Sequence, residues 1–186
     1  MEAAPKPGAP TKLIGVALAG AAVSLALGVY GRSHDPAYTS ILGDGLFFSA
    51  TLNMKVWLAT IVVALAVFQL ATALRIFGRL GSGEALPRVH WAHRISGTLA
   101  FLISLPVVYH CLWALGFQDT TTRVLVHSLA GCFFYGAFTT KMLSLRVSGL
   151  PSLTLPVIGG AVFTSLVVIW LTSALWFFDN FGFPQF

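Results

Sequence analysis

Five apolar runs, each long enough to cross a bilayer, leave this chain few ways to fold. They are Leu13–Gly31, Val56–Phe77, Ile95–Phe117, Val124–Leu145 and Leu155–Phe178. Each holds about 19 to 24 residues, and a helix needs roughly 20 to span the hydrocarbon core. Backbone groups in that core find no water, so each run must close its own hydrogen bonds and a helix is the form expected. Only 9% of the 186 residues are charged, and the mean hydropathy is +0.83. A water-soluble domain would need a much larger charged surface. The expected fold class is therefore all-α, an integral membrane bundle of five transmembrane helices over residues 13–186, preceded by a cytoplasmic leader, residues 1–12. One membrane domain is expected, without a soluble flavin or nicotinamide domain.

The first run is longer than the core of a secretory signal and has no convincing cleavage site after it, so it is expected to span. Its small residues Gly15, Ala19, Gly20 and Gly28 would let a neighbouring helix approach closely. Between the runs lie turn-rich or charged stretches such as Gly31–Pro36 and Gly81–Glu84.

The net charge of +5 does not point to nucleic acid, because the basic residues lie in the loops between apolar runs and act as topology signals. One set of loops holds Lys6, Lys12, Arg75, Arg79, Arg88, Arg94, Lys141 and Arg146; the other holds only Arg32, Lys55 and Arg123. Eight against three puts the N-terminus in the cytoplasm and the C-terminus outside. A multi-pass protein of the cell membrane follows, with the bacterial plasma membrane as the expected compartment. Cys111 and Cys132 lie inside apolar runs, make no CxxC pair, and are expected to be small buried side chains.

Ionisable residues inside a membrane are costly, so each marks a candidate function. His34 falls in the first outer loop and is expected to be solvated; His90 and His93, beside Trp91 and Arg94, resemble an interfacial anchor. His110 and His127 differ. His110 lies seven residues before Phe117, and His127 four residues after Arg123. At 1.5 Å per residue they sit about 10 Å and 6 Å below the same boundary. The connection between their helices, Gln118–Arg123, is short, which makes the helices antiparallel neighbours.

Two imidazoles at one depth on facing helices suit the two axial positions of a haem iron, and His110 and His127 are the expected metal ligands. Gly131, one turn beyond His127, leaves room for a flat macrocycle, while Phe134 and Phe138 continue that face. Pro106 removes a backbone donor four residues before His110 and is expected to bend the helix. Arg123 and Lys55 at the outer boundary are placed to meet haem propionates. Two alternatives stand beside haem. The histidines would merely hydrogen-bond across helices, or they would hold a metal such as zinc, which wants three or four ligands where no third appears.

The run His93–Leu102 (His-Arg-Ile-Ser-Gly-Thr-Leu-Ala-Phe-Leu), followed by His110 and then His127, resembles the ferric reductase-like and cytochrome b561-like transmembrane haem b proteins. The stretch Cys132–Leu143 is similar to an uncharacterised bacterial membrane family of the same group. The resemblance covers roughly Leu86–Arg146 and implies two haems, one near each face, held by histidines about fourteen residues, or four helical turns, apart. Fourteen residues from His110 and from His127, however, stand Ser96 and Lys141. His93 is seventeen residues from His110, which turns it about 100° off that face. One haem b in the outer half is therefore expected, with His93 as the candidate ligand of a second.

The function expected is single-electron relay, as an electron-transfer protein or oxidoreductase subunit more than a stand-alone enzyme, and no catalytic residue is assigned. Lipid, haem and a redox protein partner are the expected contacts, with membrane quinol as the candidate donor and a quinone site bordered by Tyr109, Trp113 and Gln118. The alternative is a cofactor-free structural or assembly subunit of a membrane complex. In that case the last run, which carries no ionisable residue, and its aromatic end, Trp176–Phe183, would meet a partner or anchor the chain. A transporter is disfavoured: the runs contain no buried acid, and Gln69 and Asn53 are the only amides near the core.

Overall fold

The computed structural model describes residues 9–38 and 48–184. Their regular structure is all helical, with no strand among the described residues. In chain order the helices are α1 (Ala9–Ser33), α2 (Thr51–Ile76), α3 (Pro87–His110), α4 (Thr122–Ser144), α5 (Thr154–Trp170) and α6 (Trp176–Phe181). A π-helical turn, Cys111–Leu115, prolongs α3, and a second, Leu171–Leu175, joins α5 to α6.

Four of the helical stretches are long and apolar enough to cross a membrane: Pro10–Ser33, Thr51–Ile76, Pro87–Leu115 and Thr154–Phe181. Their surfaces agree, since Leu18, Leu25, Val67, Leu102 and Val157 are each more than half exposed. Apolar side chains spread over the whole exterior are what a lipid solvent permits and water does not. The chain is a multi-pass membrane protein. Helix α4 is long enough but less apolar, because His127, Lys141 and several Gly, Ser and Thr residues interrupt it.

The helix starts differ from the apolar boundaries. Helix α2 begins at Thr51, five residues before Val56, and α3 at Pro87, eight before Ile95. Proline suits the first helical position, where its missing N–H costs nothing and its φ is already helical. Polar first turns such as Pro-Arg-Val-His raise no hydropathy signal, although they are helical. Helix α1 starts at Ala9, inside the stretch expected to be a leader, while residues 1–8 lie outside the described part.

Two compact units divide the chain. The first, Met1–Asp35 with Gly116–Ile169, is built on α1 and α4. These helices run antiparallel along their full length. Lys12 Nζ donates to the Ser148 carbonyl at one end, 3.4 Å, and at the other Arg32 pairs with Asp119 at 2.9 Å. Between them Gly20 faces Gly136, Thr140 Oγ1 donates to the Val16 carbonyl, 3.4 Å, and Gly28 faces Cys132. A Cβ on Gly136 would come within 2.5 Å of the Gly20 carbonyl oxygen, so only glycine permits this approach. The expected use of Gly20 and Gly28 as packing residues is what α1 displays; Gly15 meets nothing within 4 Å. The end of the pair that carries Arg32 and Asp119 is tied down by Phe117 N–H donating to the Gly31 carbonyl at 2.7 Å, and by Ser128 Oγ donating to the Gln118 carbonyl at 2.9 Å.

The second unit, Pro36–Leu115 with Trp170–Phe186, is built on the antiparallel pair α2 and α3 and on the π-turn and α6 that follow α5. Val56, Ala174 and Phe177 form a buried core to which Ala59, Trp170 and Phe178 add. Trp170 Nε1 donates to Thr60 Oγ1 at 3.1 Å, and Trp57 Nε1 to the Pro184 carbonyl at 3.2 Å. The aromatic end is thus partly core: Phe177 is buried, whereas Phe181 and Phe183 are exposed.

Candidate functional site

His110 is the last residue of α3 before the helix widens, and its side chain is half-buried. Pro106 lies one turn earlier and offers no N–H to the Leu102 carbonyl. Five residues beyond Pro106 the backbone enters the π-turn, whose extra residue per turn changes the direction of every side chain that follows. The carbonyls freed there are satisfied from within the same unit: Ala37 N–H donates to Trp113 at 3.4 Å, and Tyr38 N–H to Ala114 at 3.1 Å. Tyr109 and Trp113 stack with ring centres 6.4 Å apart. Such π-turns recur at functional sites in helices.

His127 stands in the second turn of α4, in the other unit. Thr121 caps that helix, its hydroxyl accepting from Val124 N–H at 3.3 Å. At about 100° per residue, Arg123, Gly131, Phe134 and Phe138 all fall within about 40° of His127, while Cys132, Gly136 and Thr140 fall on the opposite side. The opposite side is the one that packs against α1. Helix α4 therefore presents two unlike faces: small residues toward α1, and a histidine, an arginine and two phenylalanines away from it. Phe134 is buried and stacks on Phe138, with ring centres 6.4 Å apart and planes 27° apart. A Cβ added at Gly131 would meet nothing within 4 Å, so this face carries open space one turn from His127.

A polar cluster in the second unit is not foreseen from the sequence, in which Gln69, His93 and Ser96 are singled out separately and Thr72 is not. Thr72 Oγ1 on α2 hydrogen-bonds His93 Nδ1 on α3 at 2.8 Å. Gln69 donates to the His93 carbonyl and to Ser96 Oγ, the latter at 2.6 Å, and its side chain docks over Gly97. Thr72 and Ser96 are buried. His93, expected at an interfacial anchor, is an interhelical partner, whereas His90 and Trp91 are exposed. The sequence signal was available in the amide of Gln69, one of few inside an apolar run, but its partner depended on the α2–α3 register. His34, expected to be solvated, stacks on Tyr30 with ring centres 5.1 Å apart. The two cysteines are free and half-buried.

Among the described residues, no group of three or more His, Cys, Asp or Glu side chains gathers where it could hold a metal ion. Helix α4 brings together Arg123, His127, Gly131 and Phe134, and His110 belongs to the other unit. No curated protein and no solved structure matches the chain. A family model does match, over residues 13–185, which is nearly the whole of the chain, from the second turn of α1 onward. The chain belongs to that family, DUF6529, a family of unknown function.

Proposed function

We propose that this chain is a membrane b-type cytochrome that relays single electrons, with His110 and His127 as the two axial ligands of one haem b. The observation that carries the reading is the His127 face of α4: a half-buried imidazole, open space at Gly131, and the stacked pair Phe134–Phe138, all on the side that α1 leaves alone. A face of that composition fits a flat, apolar macrocycle. Haem ligated by two imidazoles has no open coordination position, so it would pass electrons without binding oxygen or substrate. In this reading His110 and His127 hold the iron, Gly131 leaves room for the ring, Phe134 and Phe138 exclude water, and Arg123 and Lys55 neutralise the propionates.

The topology proposed with it has five crossings, the N-terminus in the cytoplasm and the C-terminus outside, in the bacterial plasma membrane. Helix α4 is the crossing that hydropathy alone does not supply. Its 23 residues reach about 35 Å, which exceeds a hydrocarbon core of about 30 Å. It also pairs with the apolar α1 from Lys12–Ser148 to Arg32–Asp119, which supports its crossing at the same depth. Electron delivery from a membrane quinol to a redox protein partner at the outer face completes the proposal.

The test is optical. Full-length protein expressed with haem supplied and purified in mild detergent is expected to show a sharp b-type band on dithionite reduction, at about one haem per chain. His110→Ala and His127→Ala are each expected to abolish it. A folded, colourless protein, or haem retained by both variants, would sink the reading; two haems per chain would bring in His93. A second reading, that of a cofactor-free structural subunit, is favoured by the Thr72–His93 bond, in which a membrane histidine serves helix association.

A further inference from the structure

We propose that the groove between the C-terminal end of α2 and the N-terminal end of α3 is a binding site for one anionic phospholipid. The groove lies wholly within the second unit and has a volume of about 500 Å³. Its floor and walls are almost entirely apolar, from Phe68 and Thr72 on α2 and Trp91 and Ala92 on α3. Arg75 and Arg88 stand on its rim. An apolar trough that opens at the helix ends beside fixed positive charge matches one kind of molecule, with an acyl chain for the trough and an anionic headgroup for the rim.

The charges are not spent elsewhere. Arg75 donates to the carbonyls of Ser82, Gly83 and Glu84 at 2.8–3.0 Å, which fixes its guanidinium over the α2–α3 loop without neutralising it. Arg88 is exposed, and neither arginine is paired with a carboxylate among the described residues. From Arg75 to Arg94 the chain carries four arginines, Arg75, Arg79, Arg88 and Arg94, against the single acid Glu84. Thr72 contributes little polarity to the trough, because its hydroxyl is engaged with the Phe68 carbonyl and with His93. Trp91, two-thirds exposed, is a residue type suited to the headgroup level.

The experiment is native mass spectrometry of the full-length protein in detergent, titrated with phosphatidylglycerol or with phosphatidylcholine of the same acyl chains. One tightly retained phosphatidylglycerol per chain is expected, with phosphatidylcholine lost at the same activation energy. Arg88→Gln is expected to weaken retention about fivefold. Ala92→Trp, which fills the trough without altering charge, is expected to abolish it. Arg146→Gln, an equal change of charge at an exposed position outside the groove, is expected to leave it unchanged. Equal retention of the two lipids would overturn the proposal. So would loss on Arg146→Gln as large as on Arg88→Gln, which would mean attraction to surface charge in general. Retention unaffected by both Arg88→Gln and Ala92→Trp would overturn it as well.

Discussion

The two helix pairs of this protein solve the same problem by different means. Lipid tails are as apolar as leucine, so no hydrophobic force drives spanning helices together, and contact must come from close packing or from polar bonds. The α1–α4 pair uses the first route, with Gly20 against Gly136 and a backbone approach that a Cβ would block. The α2–α3 pair uses the second, through Gln69, Thr72, His93 and Ser96. The consequence reaches the proposed site. Because α4 spends only its small-residue side on α1, its other side is free to carry His127, Arg123 and two aromatic rings. On α3 the histidine nearest α2, His93, is engaged in holding the pair together.

The contrast can be broken most strongly at Gly136. Gly136→Leu would drive a side chain into Ser24 and the Gly20 carbonyl, where backbone cannot yield. The expected cost is about 3 kcal/mol or outright loss of the fold, read as the detergent-denaturation midpoint followed by circular dichroism. Gln69→Leu removes two interhelical bonds but orphans nothing, since Ser96 Oγ keeps the Ala92 carbonyl at 2.7 Å. Its expected cost is about 1 kcal/mol, and that of Thr72→Val, which removes one bond, about 0.6 kcal/mol. If Gln69→Leu cost as much as Gly136→Leu, the division between a packed pair and a bonded pair would fail. One further change has the opposite sign. Ser144, on α4, is buried with its hydroxyl unpartnered, so Ser144→Ala is expected to raise stability by up to about 1 kcal/mol in the same assay. A loss of stability there would mean that the hydroxyl has a role in the pair.

How much of this could be read from the chain follows the same division. Helices α1, α2 and α5 announce themselves by hydropathy, because their outward faces meet lipid and must be apolar. Helix α4 is fainter for a physical reason: the side that meets α1 includes Gly136, Thr140 and Ser144, which pack well and score poorly. The start of α3 at Pro87 was hidden by its polar first turns, although the proline itself is a helix-start residue. Neither π-turn was legible, since a change from one hydrogen-bond ladder to another leaves no trace in composition. The site divides likewise. His127 with Gly131, Phe134 and Arg123 follows from a helical period within one element, which sequence states well. The Gln69–Thr72–His93–Ser96 cluster required the register of two helices, which no single-helix pattern contains.

The central claim is that His110 and His127 together ligate one haem, and electron paramagnetic resonance of the oxidised, haem-supplemented protein tests it most directly. Two axial imidazoles make ferric haem low-spin, so the parent protein is expected to give a low-spin signal. His110→Ala and His127→Ala are each expected to convert it to high-spin or to lose the haem. A low-spin signal that survives both substitutions, or a folded protein with no haem signal at all, would contradict the account.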